Sequence, residues 1–495
     1  MDKGCKTLSD LLVNSEYELI NGTLDIELFG LAYNSNKVKK GFGFVAIKGE
    51  KTDGHQYITN AIESGARTIF CEAISENIIK KYTNVTFVKV SNSRKLLAEM
   101  ANAFYDYPSE KLKLIGITGT NGKTTCTFLF KHMIENSGYK CGIIGTTGIF
   151  INDREIPATH TTPESLELYE ILADMRDEKV EYVIMEVSSH SLVQFRVYGL
   201  NFVMALFTNL THDHLDYHKT MESYASAKKI LFESLSSDSW CLVNSDSEWH
   251  NFMISDIECK NVVKVGRNEQ SNFRIVNEKM SLDGISYDLV NTNQSFSISS
   301  ILTGRFNIDN SAIVIIACII LGIDANLVSE YIKNAEGAPG RMQRVLLNNG
   351  AIGLVDYAHT PDALEKAILS SKAILDKEKS SHRLICVFGC GGDRDKTKRP
   401  EMGKISTQLA DLTIITSDNP RTENDLRIID DILAGVDKES DFVAISDRRK
   451  AIEYAYSKSQ HGDVILVAGK GHEKYQIIGN QKFHFDDVEE LEKFS

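Results

Sequence analysis

The chain has 495 residues, which is too long for one compact hydrophobic core, so we expect it to fold into three domains. Its 25% charged and 42% hydrophobic residues are typical of a soluble protein, and no run of roughly 20 apolar residues would span a bilayer, which excludes membrane and disordered classes. A net charge of −13 argues against binding along a nucleic-acid backbone, so any phosphate should be bound in a local pocket.

The N-terminal segment MDKGCKTLSDLLVNSEYELI has no continuous apolar stretch and no small-residue cleavage site. No secretory signal is therefore expected, and the predicted location is the cytoplasm. Nine cysteines are scattered singly, and the closest pair, Cys386 and Cys390, lacks the CxxC spacing of zinc and redox motifs. We predict free thiols and a monomer that neither enters a membrane nor binds nucleic acid.

Short apolar runs alternate with amphipathic helical stretches, which predicts an α/β fold. The first predicted domain, 1–108, has strand-like GFVAIKG and RTIFCE around helix-like YITNAIESGA, then helix-like RKLLAEMANAFYDYP. The second, 109–339, opens with strand-like KLKLIGITG and continues through EYVIMEVSS, FVMALFTNL and helical NSAIVIIACIILG. The third, 340–495, contains the strand-like runs AIGLVDYA, RLICVFGCGG, LTIITSD and DVILVAGKG. These last runs end in Gly, Asp or His, as expected where parallel strands deliver residues to a crevice.

A glycine-rich turn lies between strand-like LKLIGIT and helix-like CTFLFKHMI. Such a turn points backbone N–H groups and the positive helix end at an anion, while Lys123 adds a charge and Thr124 or Thr125 can hold Mg²⁺. Ile117 replaces the first glycine of the strict phosphate-loop pattern, so this is a shortened variant. A simple turn with a solvent-exposed lysine is the alternative that the strand-loop-helix context disfavours. The predicted ATP-binding residues of this loop are Gly119, Thr120, Asn121, Gly122, Lys123, Thr124 and Thr125.

Together with further motifs, this loop resembles the Mur ligase family, which also includes folylpolyglutamate synthetases. The motifs run through nearly the whole chain and are NSNKVKKGFGFVAIKG, TTP, MEVSSHSLVQFR, TNLTHDHLDYH, YASAKKILF, GRMQRV, DYAHTPDAL, GCGGDRDKTKRP, DNPR and GKGHE. The resemblance implies an N-terminal α/β domain for the UDP end of an acceptor and a central P-loop ATPase-type domain with a parallel sheet. It also implies a C-terminal Rossmann-like domain that brings an amino acid.

The implied reaction forms an amide from a carboxylate, which is uphill in water. ATP must therefore activate the carboxylate as an acyl phosphate that is shielded from water. Glu186, at the end of YVIME, and Thr124 are expected to hold a Mg²⁺ that bridges the terminal phosphates. His212, His214 and His218 in HDHLDYH suggest zinc as an alternative, although no cysteine cluster or HExxH motif accompanies them. The resemblance instead assigns His214 to a second Mg²⁺.

Lys228 lies in YASAKKILF, on a predicted helix whose apolar side includes Tyr224 and Leu231. The pattern alone predicts a surface lysine whose stem packs on that apolar side. The resemblance implies that CO₂ forms a carbamate on Lys228, which then serves as a metal ligand. That chemistry requires a neutral amine and hence a lowered pKa. With Lys123, Glu186 and His214, Lys228 completes the predicted catalytic set.

The acceptor that the resemblance implies is UDP-N-acetylmuramoyl-L-alanyl-D-glutamate, which is rich in phosphate, sugar and peptide oxygens. Hydroxyl, amide and guanidinium groups suit such a ligand, although a single Ser or Thr is by default a turn or helix cap. The implied acceptor residues are Ser35, Thr161, Thr162, Ser188, Gln194 and Arg196. The family commonly has DSR where this chain has Asn34-Ser35-Asn36, a departure near the uridine end. For the base and ribose side of ATP, the implied residues are Asn307, Asn310, Arg341, Asp356 and His359.

The motif DNPR follows the strand-like run LTIITS and is the form that the family uses for meso-diaminopimelate. The planar guanidinium of Arg421 can bind the distal carboxylate of diaminopimelate. The amino acid lysine has no such carboxylate, and the arginine would repel its side-chain ammonium. Arg394 resembles a second carboxylate contact, but it is also typical of an exposed charge run. The implied diaminopimelate residues are Arg394, Asp418, Asn419, Pro420, Arg421, Gly469 and Glu473.

Three alternatives stay open from the sequence: a lysine-adding muramoyl ligase, a folylpolyglutamate synthetase, and a nucleotide-binding regulator without catalysis. DNPR and the N-terminal VKKGFGFVAIKG segment favour the diaminopimelate-adding muramoyl-peptide ligase over the first two. A regulator should lack Lys228 or Glu186, and both are present.

Overall fold

A computed structural model describes residues 4–49, 52–152, 154–158, 160–281, 283–377 and 382–495. These residues form two compact units. The first comprises Met1–Lys123, Gly138–Val243 and Ser247–Val263, and the second comprises Thr124–Ser137, Asn244–Asp246 and Lys264–Ser495. The three-domain α/β fold class is confirmed, while domain boundaries after residues 108 and 339 stay a prediction.

The N-terminal part of the first unit contains a five-stranded sheet with helices on both faces and a separate antiparallel pair formed by its first and third strands. Its strands are β1 (Lys6–Thr7), β2 (Glu18–Asn21), β3 (Glu27–Leu28), β4 (Leu31–Ala32), β5 (Gly43–Val45), β6 (Thr68–Cys71) and β7 (Thr86–Lys89), and its helices are α1 (Leu8–Leu11), α2 (Ile58–Glu63), α3 (Glu76–Lys81) and α4 (Ser93–Phe104). The sheet order is β2-β7-β6-β5-β4, with β2 antiparallel to the parallel remainder. Alternate residues of β6 face opposite sides, so Ile69 packs in the cluster of α2 and Phe70 in that of α4.

The middle of the chain contributes to both units. Its strands are β8 (Lys113–Thr118), β9 (Cys141–Gly145), β10 (Gly148–Ile151), β11 (Arg154–Ile156), β12 (Tyr182–Glu186), β13 (Phe202–Phe207), β14 (Trp240–Asn244), β15 (Asn261–Gly266), β16 (Phe273–Ser281), β17 (Gly284–Val290) and β18 (Ser295–Ser300). Its helices are α5 (Lys123–Asn136), α6 (Ser165–Asp177), α7 (Ser189–Val193), α8 (Leu215–His218), α9 (Met221–Glu233), α10 (His250–Ile254), α11 (Arg305–Ile320) and α12 (Ala325–Tyr331).

In the first unit, β9, β12, β8, β13 and β14 lie side by side and parallel, with β10 and β11 antiparallel at one edge. These strands are almost continuous runs of buried aliphatic residues, as a sheet covered on both faces requires. The carboxyl end of β8 therefore lies between those of β12 and β13, where a ligand crevice is expected. In the second unit, β16, β17 and β18 form an antiparallel ribbon.

The C-terminal part of the second unit contains a mostly parallel six-stranded sheet and a separate antiparallel pair formed by its last two strands. Its strands are β19 (Gln343–Leu346), β20 (Ile352–Asp356), β21 (Leu384–Phe388), β22 (Leu412–Ile415), β23 (Phe442–Ala444), β24 (Val464–Ala468), β25 (Tyr475–Ile478) and β26 (Gln481–His484), and its helices are α13 (Pro361–Lys377), α14 (Lys398–Leu409), α15 (Asp425–Leu433), α16 (Arg448–Lys458) and α17 (Asp487–Glu492). The order is β19-β20-β24-β21-β22-β23, and β20, β24, β21, β22 and β23 are parallel. The four predicted strands that end in Gly, Asp or His are confirmed as β20, β21, β22 and β24.

All nine cysteines lie in the described part of the chain and are free thiols, as predicted. Eight are buried and Cys5 is exposed. Burial raises the pKa of the Cys386 and Cys390 thiols to about 12, so neither is a reactive thiolate at neutral pH. Across the described ranges, helices of the length and apolar character that a bilayer crossing needs are absent.

Candidate functional site

The phosphate loop leaves β8 and is held by the segment that follows β13. Gly119 has φ +148°, and a Cβ atom there would overlap the Thr208 hydroxyl, so only glycine fits. Thr208 Oγ1 donates to the Asn121 carbonyl over 2.6 Å, and the Asn121 N–H donates to Asn209 Oδ1 over 3.0 Å. The loop is thereby fixed by side chains of the TNLT motif before any ligand binds.

Two lysine ammonium groups donate to one carbonyl of this loop. Lys123 Nζ and Lys228 Nζ each lie 2.9 Å from the Gly119 oxygen. Lys228 is only 1% exposed and lies on α9 with Tyr224 and Leu231, which are equally buried. The interpretation of Lys228 as a surface lysine, drawn from the helical pattern alone, is therefore wrong, because the apolar side of α9 packs into the protein core.

The surroundings of Lys228 favour its neutral form. Burial lowers the pKa of its ammonium well below the usual value, the charge of Lys123 acts in the same direction, and Asp213 opposes both. A neutral amine is the form that reacts with CO₂, so the environment fits the carbamate that the family resemblance implies. The carbamate itself stays a prediction.

Glu186 ends β12 beside β8 and is 1% exposed. Its two carboxylate oxygens accept from the Thr146 N–H over 2.9 Å and the Thr146 hydroxyl over 3.2 Å. Within the described ranges, three His, Cys, Asp or Glu side chains nowhere converge on a metal position. A buried carboxylate fits Mg²⁺, a hard cation that prefers oxygen ligands and keeps waters and phosphate oxygens, better than a closed zinc site. Thr124, the other predicted ligand, is buried in the first turn of α5 in the second unit.

The three histidines of HDHLDYH differ in exposure. His218 is buried, and its Nε2 is 2.8 Å from the Ser189 hydroxyl, which is a packing role. His212 is exposed. His214 immediately precedes α8, has φ +53° and is half exposed, and its ring centroid lies 5.2 Å from that of His190, which is also 5.5 Å from that of His218. The zinc alternative therefore finds no structural support, while the assignment of His214 to Mg²⁺ stays a prediction.

A cavity of about 480 Å³ in the first unit brings together five of the six predicted acceptor residues. Its lining residues are Arg94, His160, Thr161, Thr162, Glu164, Ser188, His190, Gln194, Arg196 and His214. Arg196 is the most connected of these residues, because it donates to the Thr162 carbonyl over 2.9 Å and to Gln194 Oε1 over 2.7 Å. Its guanidinium also lies 3.0 Å from the Glu164 carboxylate. The cavity thus offers hydroxyl, amide and guanidinium groups in one place.

Ser35, the sixth predicted acceptor residue, lies outside this cavity. It begins a 3-10 turn, Ser35–Lys37, whose N-terminus is capped by the side chain of Asn34. The adjacent Tyr33 hydroxyl donates to Glu167 over 2.9 Å. In this chain the first position of the family's DSR motif therefore serves local turn structure, and a uridine-end contact by Ser35 stays a prediction.

Sequence reasoning missed Arg94 and Glu164. Arg94, from the start of α4, lies 3.1 Å from the second carboxylate oxygen of Glu164. Arg94 and Gln194 also line a second cavity of about 410 Å³, which includes Lys48 and Asn92. The position of Glu164 immediately after TTP was an available signal, but nothing in the sequence pairs it with a residue 70 positions earlier.

In the second unit, several predicted nucleotide residues surround Tyr357. The Arg341 guanidinium lies 5.0 Å from the Tyr357 ring centroid, and the His359 ring lies 4.6 Å from it. Asp356 accepts from the Met342 N–H over 2.9 Å. Arg341, Asp356 and His359 therefore lie close together.

Asn307 and Asn310 lie in the first turns of α11 and are almost fully buried. The Asn307 amide donates to the Thr303 carbonyl over 2.8 Å, and Asn310 donates to Asn307 Oδ1 over 3.3 Å. Both side chains thus have internal partners, and their contact with a nucleotide stays a prediction.

The predicted amino-acid residues meet at the carboxyl ends of β22 and β24. Asn419 Nδ2 donates to Glu473 Oε2 over 2.8 Å, and the Ile477 N–H donates to Asn419 Oδ1 over 2.9 Å. Gly469 has φ +116°, and a Cβ atom there would lie 2.8 Å from Asp418 Oδ2. Lys470, which sequence reasoning did not single out, is fully buried among these groups.

The loop of GCGGDR is fastened to that of DNPR. Arg421, with φ +51°, donates from its side chain to the Gly392 carbonyl over 2.9 Å. The Thr422 hydroxyl donates to Asp393 over 2.7 Å. Arg394 is exposed at this loop, which fits either a ligand contact or a solvated charge.

Buried Arg399 contacts residues of both loops. It donates to Glu423, which follows DNPR, over 2.9 Å, and this contact lowers the pKa of the Glu423 carboxyl to about 2.

Family models cover the three parts of the chain. Residues 117–318 match the Mur ligase middle domain, residues 340–471 the Mur ligase, glutamate ligase domain, and residues 27–105 the Mur ligase family, catalytic domain.

Full-length relatives are similar throughout. The UDP-N-acetylmuramoyl-L-alanyl-D-glutamate--2,6-diaminopimelate ligase 1 of Clostridium acetobutylicum is 43% identical over 489 residues, which are 98% of this chain and 98% of that protein. The corresponding ligase of Clostridium botulinum is 43% identical over 488 residues, covering 98% and 99%. A solved structure of a UDP-N-acetylmuramoyl-L-alanyl-D-glutamate--2,6-diaminopimelate ligase matches with a TM-score of 0.72 at 32% identity, covering 99% of this chain and 98% of that chain.

Proposed function

The chain belongs to the Mur ligase family, and we propose that it joins meso-diaminopimelate to UDP-N-acetylmuramoyl-L-alanyl-D-glutamate with hydrolysis of ATP to ADP and phosphate. The product is a peptidoglycan precursor, and the reaction takes place in the cytoplasm. Relatives of this identity and coverage favour this activity over a folylpolyglutamate synthetase or a regulator.

The observation that carries the proposal is the position of Lys228, whose buried ammonium shares the Gly119 carbonyl with Lys123 of the phosphate loop. Burying a lysine beside a second cation is costly for its charged form, so the site favours the neutral amine, which is the form that carbamate formation requires. A carbamate and the Lys123 ammonium are groups that a phosphoryl-transfer site can use around the terminal phosphates.

The first step activates the acceptor. The D-glutamate carboxylate attacks the γ-phosphorus of ATP, which forms an acyl phosphate and releases ADP. The phosphate loop and Lys123 hold the phosphates, while Thr161, Thr162, Ser188, Gln194 and Arg196 orient the acceptor in the 480 Å³ cavity. Glu186, His214 and Lys228 as a carbamate, with Thr124 as a further predicted ligand, would hold Mg²⁺, and the ion would neutralise charge on the phosphates.

The second step forms the amide. The amine of diaminopimelate attacks the acyl carbon, a C–N bond forms, phosphate leaves and the amine loses a proton. Arg421 holds the distal carboxylate, with Arg394 as a further contact, while Glu473, Asn419 and the Asp418 carboxylate face the distal ammonium. The nearby backbone of Gly469 and Pro420 shapes this end of the pocket.

The proposal is tested by phosphate release from ATP with Mg²⁺ and the acceptor, in the presence of meso-diaminopimelate, L-lysine, L-glutamate or no amino acid. We expect turnover with diaminopimelate alone and a product whose mass equals acceptor plus diaminopimelate minus water. Turnover with L-lysine would support the proposed ligase reaction but would contradict diaminopimelate as the amino acid that is added. Absence of turnover with every amino acid, in protein that still binds ATP, would favour the regulator.

A further inference from the structure

Lys470 lies beside Asp418, Asn419 and Glu473, which are proposed above to belong to the amino-acid pocket, and the inference drawn from it rests on the proposed function. It follows β24 and Gly469 in the GKGHE motif, and its side chain has no exposed surface. A fully buried lysine is rare unless it is paired, so its partners indicate what it does.

The partners of Lys470 are the groups that the proposed function assigns to the distal ammonium. Its Nζ donates to Asn419 Oδ1 over 3.2 Å and lies 3.6 Å from the Glu473 carboxylate and 3.9 Å from that of Asp418. Because Asn419 Oδ1 accepts from Lys470, the amide nitrogen of Asn419 is directed to Glu473, to which it donates over 2.8 Å. Lys470 and the Ile477 N–H, which donates to the same oxygen over 2.9 Å, thus both fix the orientation of a side chain whose two ends otherwise have nearly the same shape.

The spacing leaves both carboxylates available to a ligand. Arg448 and Asp487 nearby form a closed pair, with two contacts of 2.7 Å. Lys470, in contrast, stays beyond hydrogen-bond distance of Glu473 and Asp418, so oxygen lone pairs of both remain for another cation. Burial lowers the pKa of the Lys470 ammonium, and the two carboxylates counteract that effect.

The charges of this group match one class of ligand. Of the side chains that are at least partly buried, Asp418 and Glu473 bring two negative charges and Lys470 and Arg421 bring two positive ones, while Arg394 adds a positive charge from the exposed loop. A balanced pocket suits an amino-acid centre that carries both an ammonium and a carboxylate, and it disfavours a side chain that ends in an ammonium alone. Without Lys470 the pocket would have an excess negative charge and would favour a simple cation.

We propose that Lys470 is a positioning residue for amino-acid specificity, which contributes to the orientation of Asn419 and balances the charges of Asp418 and Glu473 for a zwitterionic distal end. Lys470 does not touch the reacting carboxylate or the phosphates in this assignment. Its loss should therefore affect recognition of the amino acid far more than the chemistry.

The test compares Lys470→Met, which keeps the length of the side chain and removes the charge, with Lys470→Arg, which keeps the charge. Lys372→Met is the matched control, because Lys372 lies half-buried in the same part of the chain and donates only to the Leu409 carbonyl. For Lys470→Met we expect KM for diaminopimelate to rise at least about tenfold and kcat to fall less than about threefold. In the same variant, KM for ATP and for the acceptor should stay within about twofold, and the preference for diaminopimelate over L-lysine should decrease. Lys470→Arg should recover part of that preference.

A second measurement uses the wild-type protein and does not depend on how the variants fold. L-lysine lacks the distal carboxylate and L-2-aminopimelate lacks the distal ammonium, so each should show kcat/KM lowered by about tenfold or more. Equal use of 2-aminopimelate and diaminopimelate would overturn the inference, as would an unchanged KM in Lys470→Met or an equal rise in all three KM values. A failure of the proposed function would appear separately, as wild-type protein that does not use diaminopimelate.

Discussion

The acceptor cavity and the amino-acid pocket use polar side chains in different ways. In the cavity, Arg196 and Arg94 share one carboxylate, that of Glu164, at the edge of an open space of about 480 Å³. In the pocket, Asn419 and Lys470 are almost fully buried and their polar atoms are directed at one another and at Glu473. The cavity is suited to a long ligand with many oxygens, whereas the pocket is suited to one charged group of defined shape.

This difference indicates how the cavity selects the acceptor and how the pocket selects the amino acid. A ligand of the cavity replaces water around side chains that already have protein partners. The loss of one ligand contact should therefore weaken binding by a moderate factor. A ligand of the pocket enters a preorganised and nearly dry network, where an unpaired charge is far more costly. Variants in the two regions should therefore differ in the size of their effects.

The largest effect should come from the chemistry that both regions serve. Lys228→Ala removes the buried amine at the phosphate loop, and we expect kcat to fall about 1,000-fold, equivalent to about 4 kcal/mol of barrier. Phosphate release at saturating substrates measures it. Lys229→Ala is the control, because the neighbouring Lys229 contacts Ser255 and Glu233 instead and should keep activity within about threefold. More than a tenth of wild-type kcat in Lys228→Ala would contradict the assignment.

The pocket should give the next largest effect. Arg421→Ala removes the guanidinium proposed for the distal carboxylate, and we expect kcat/KM for diaminopimelate to fall about 100-fold, or about 2.7 kcal/mol. Arg421→Lys should recover part of the loss, because it keeps the charge without the planar fork. Arg427→Ala, an exposed arginine on α15, serves as the control. An equal loss in both alanine variants would indicate a general charge effect.

Substitutions in the acceptor cavity should have smaller effects than substitutions in the amino-acid pocket. Arg196→Met leaves Glu164 paired with Arg94, so we expect KM for the acceptor to rise only about tenfold to thirtyfold, with KM for diaminopimelate unchanged. Initial rates at varied acceptor concentration measure this change. Arg154→Met, in an exposed pair with Glu178, is the control. A loss larger than that of Arg421→Ala would reverse the proposed contrast.

The smallest effect is on the free energy of unfolding and comes from the contact between Arg399 and Glu423. Arg399 holds the Glu423 pKa at about 2, below its usual 4.5, so the contact stabilises the fold above pH 4.5 and is lost as the pH falls toward 2. Glu423→Gln should lower the free energy of unfolding by about 1–2 kcal/mol at pH 7 and by less at pH 3. Urea unfolding at both values tests the trend against exposed Glu439→Gln. A difference that does not depend on pH would contradict the ion-pair explanation.

Much of the fold was predictable because apolar runs and glycine turns are local signals. The strands that end in Glu186 or lead to Asp418 and Gly469 were found this way, and within each sheet parallel strands bring their carboxyl ends to one edge. Burial was less predictable. The helical pattern placed Lys228 at the surface, because a single sequence does not show that this lysine lies on the side of α9 that packs into the protein core.

Contacts between separate segments were the part that the sequence did not show. Arg94 and Glu164 are 70 residues apart, and Asn419 and Glu473 are 54 residues apart. A single sequence has no signal for such pairs, because they depend on how the strands are ordered in space. Lys470 was missed for the same reason, since one lysine in a polar motif resembles any solvated charge.

The distribution of thiols described above makes this protein convenient for site-specific labelling. Cys5 is exposed while the other eight cysteines are buried, so a maleimide dye should attach once per chain in native buffer and nine times in denaturant. A single fluorophore near the N-terminus could then follow ligand binding by anisotropy or quenching without removal of any native cysteine.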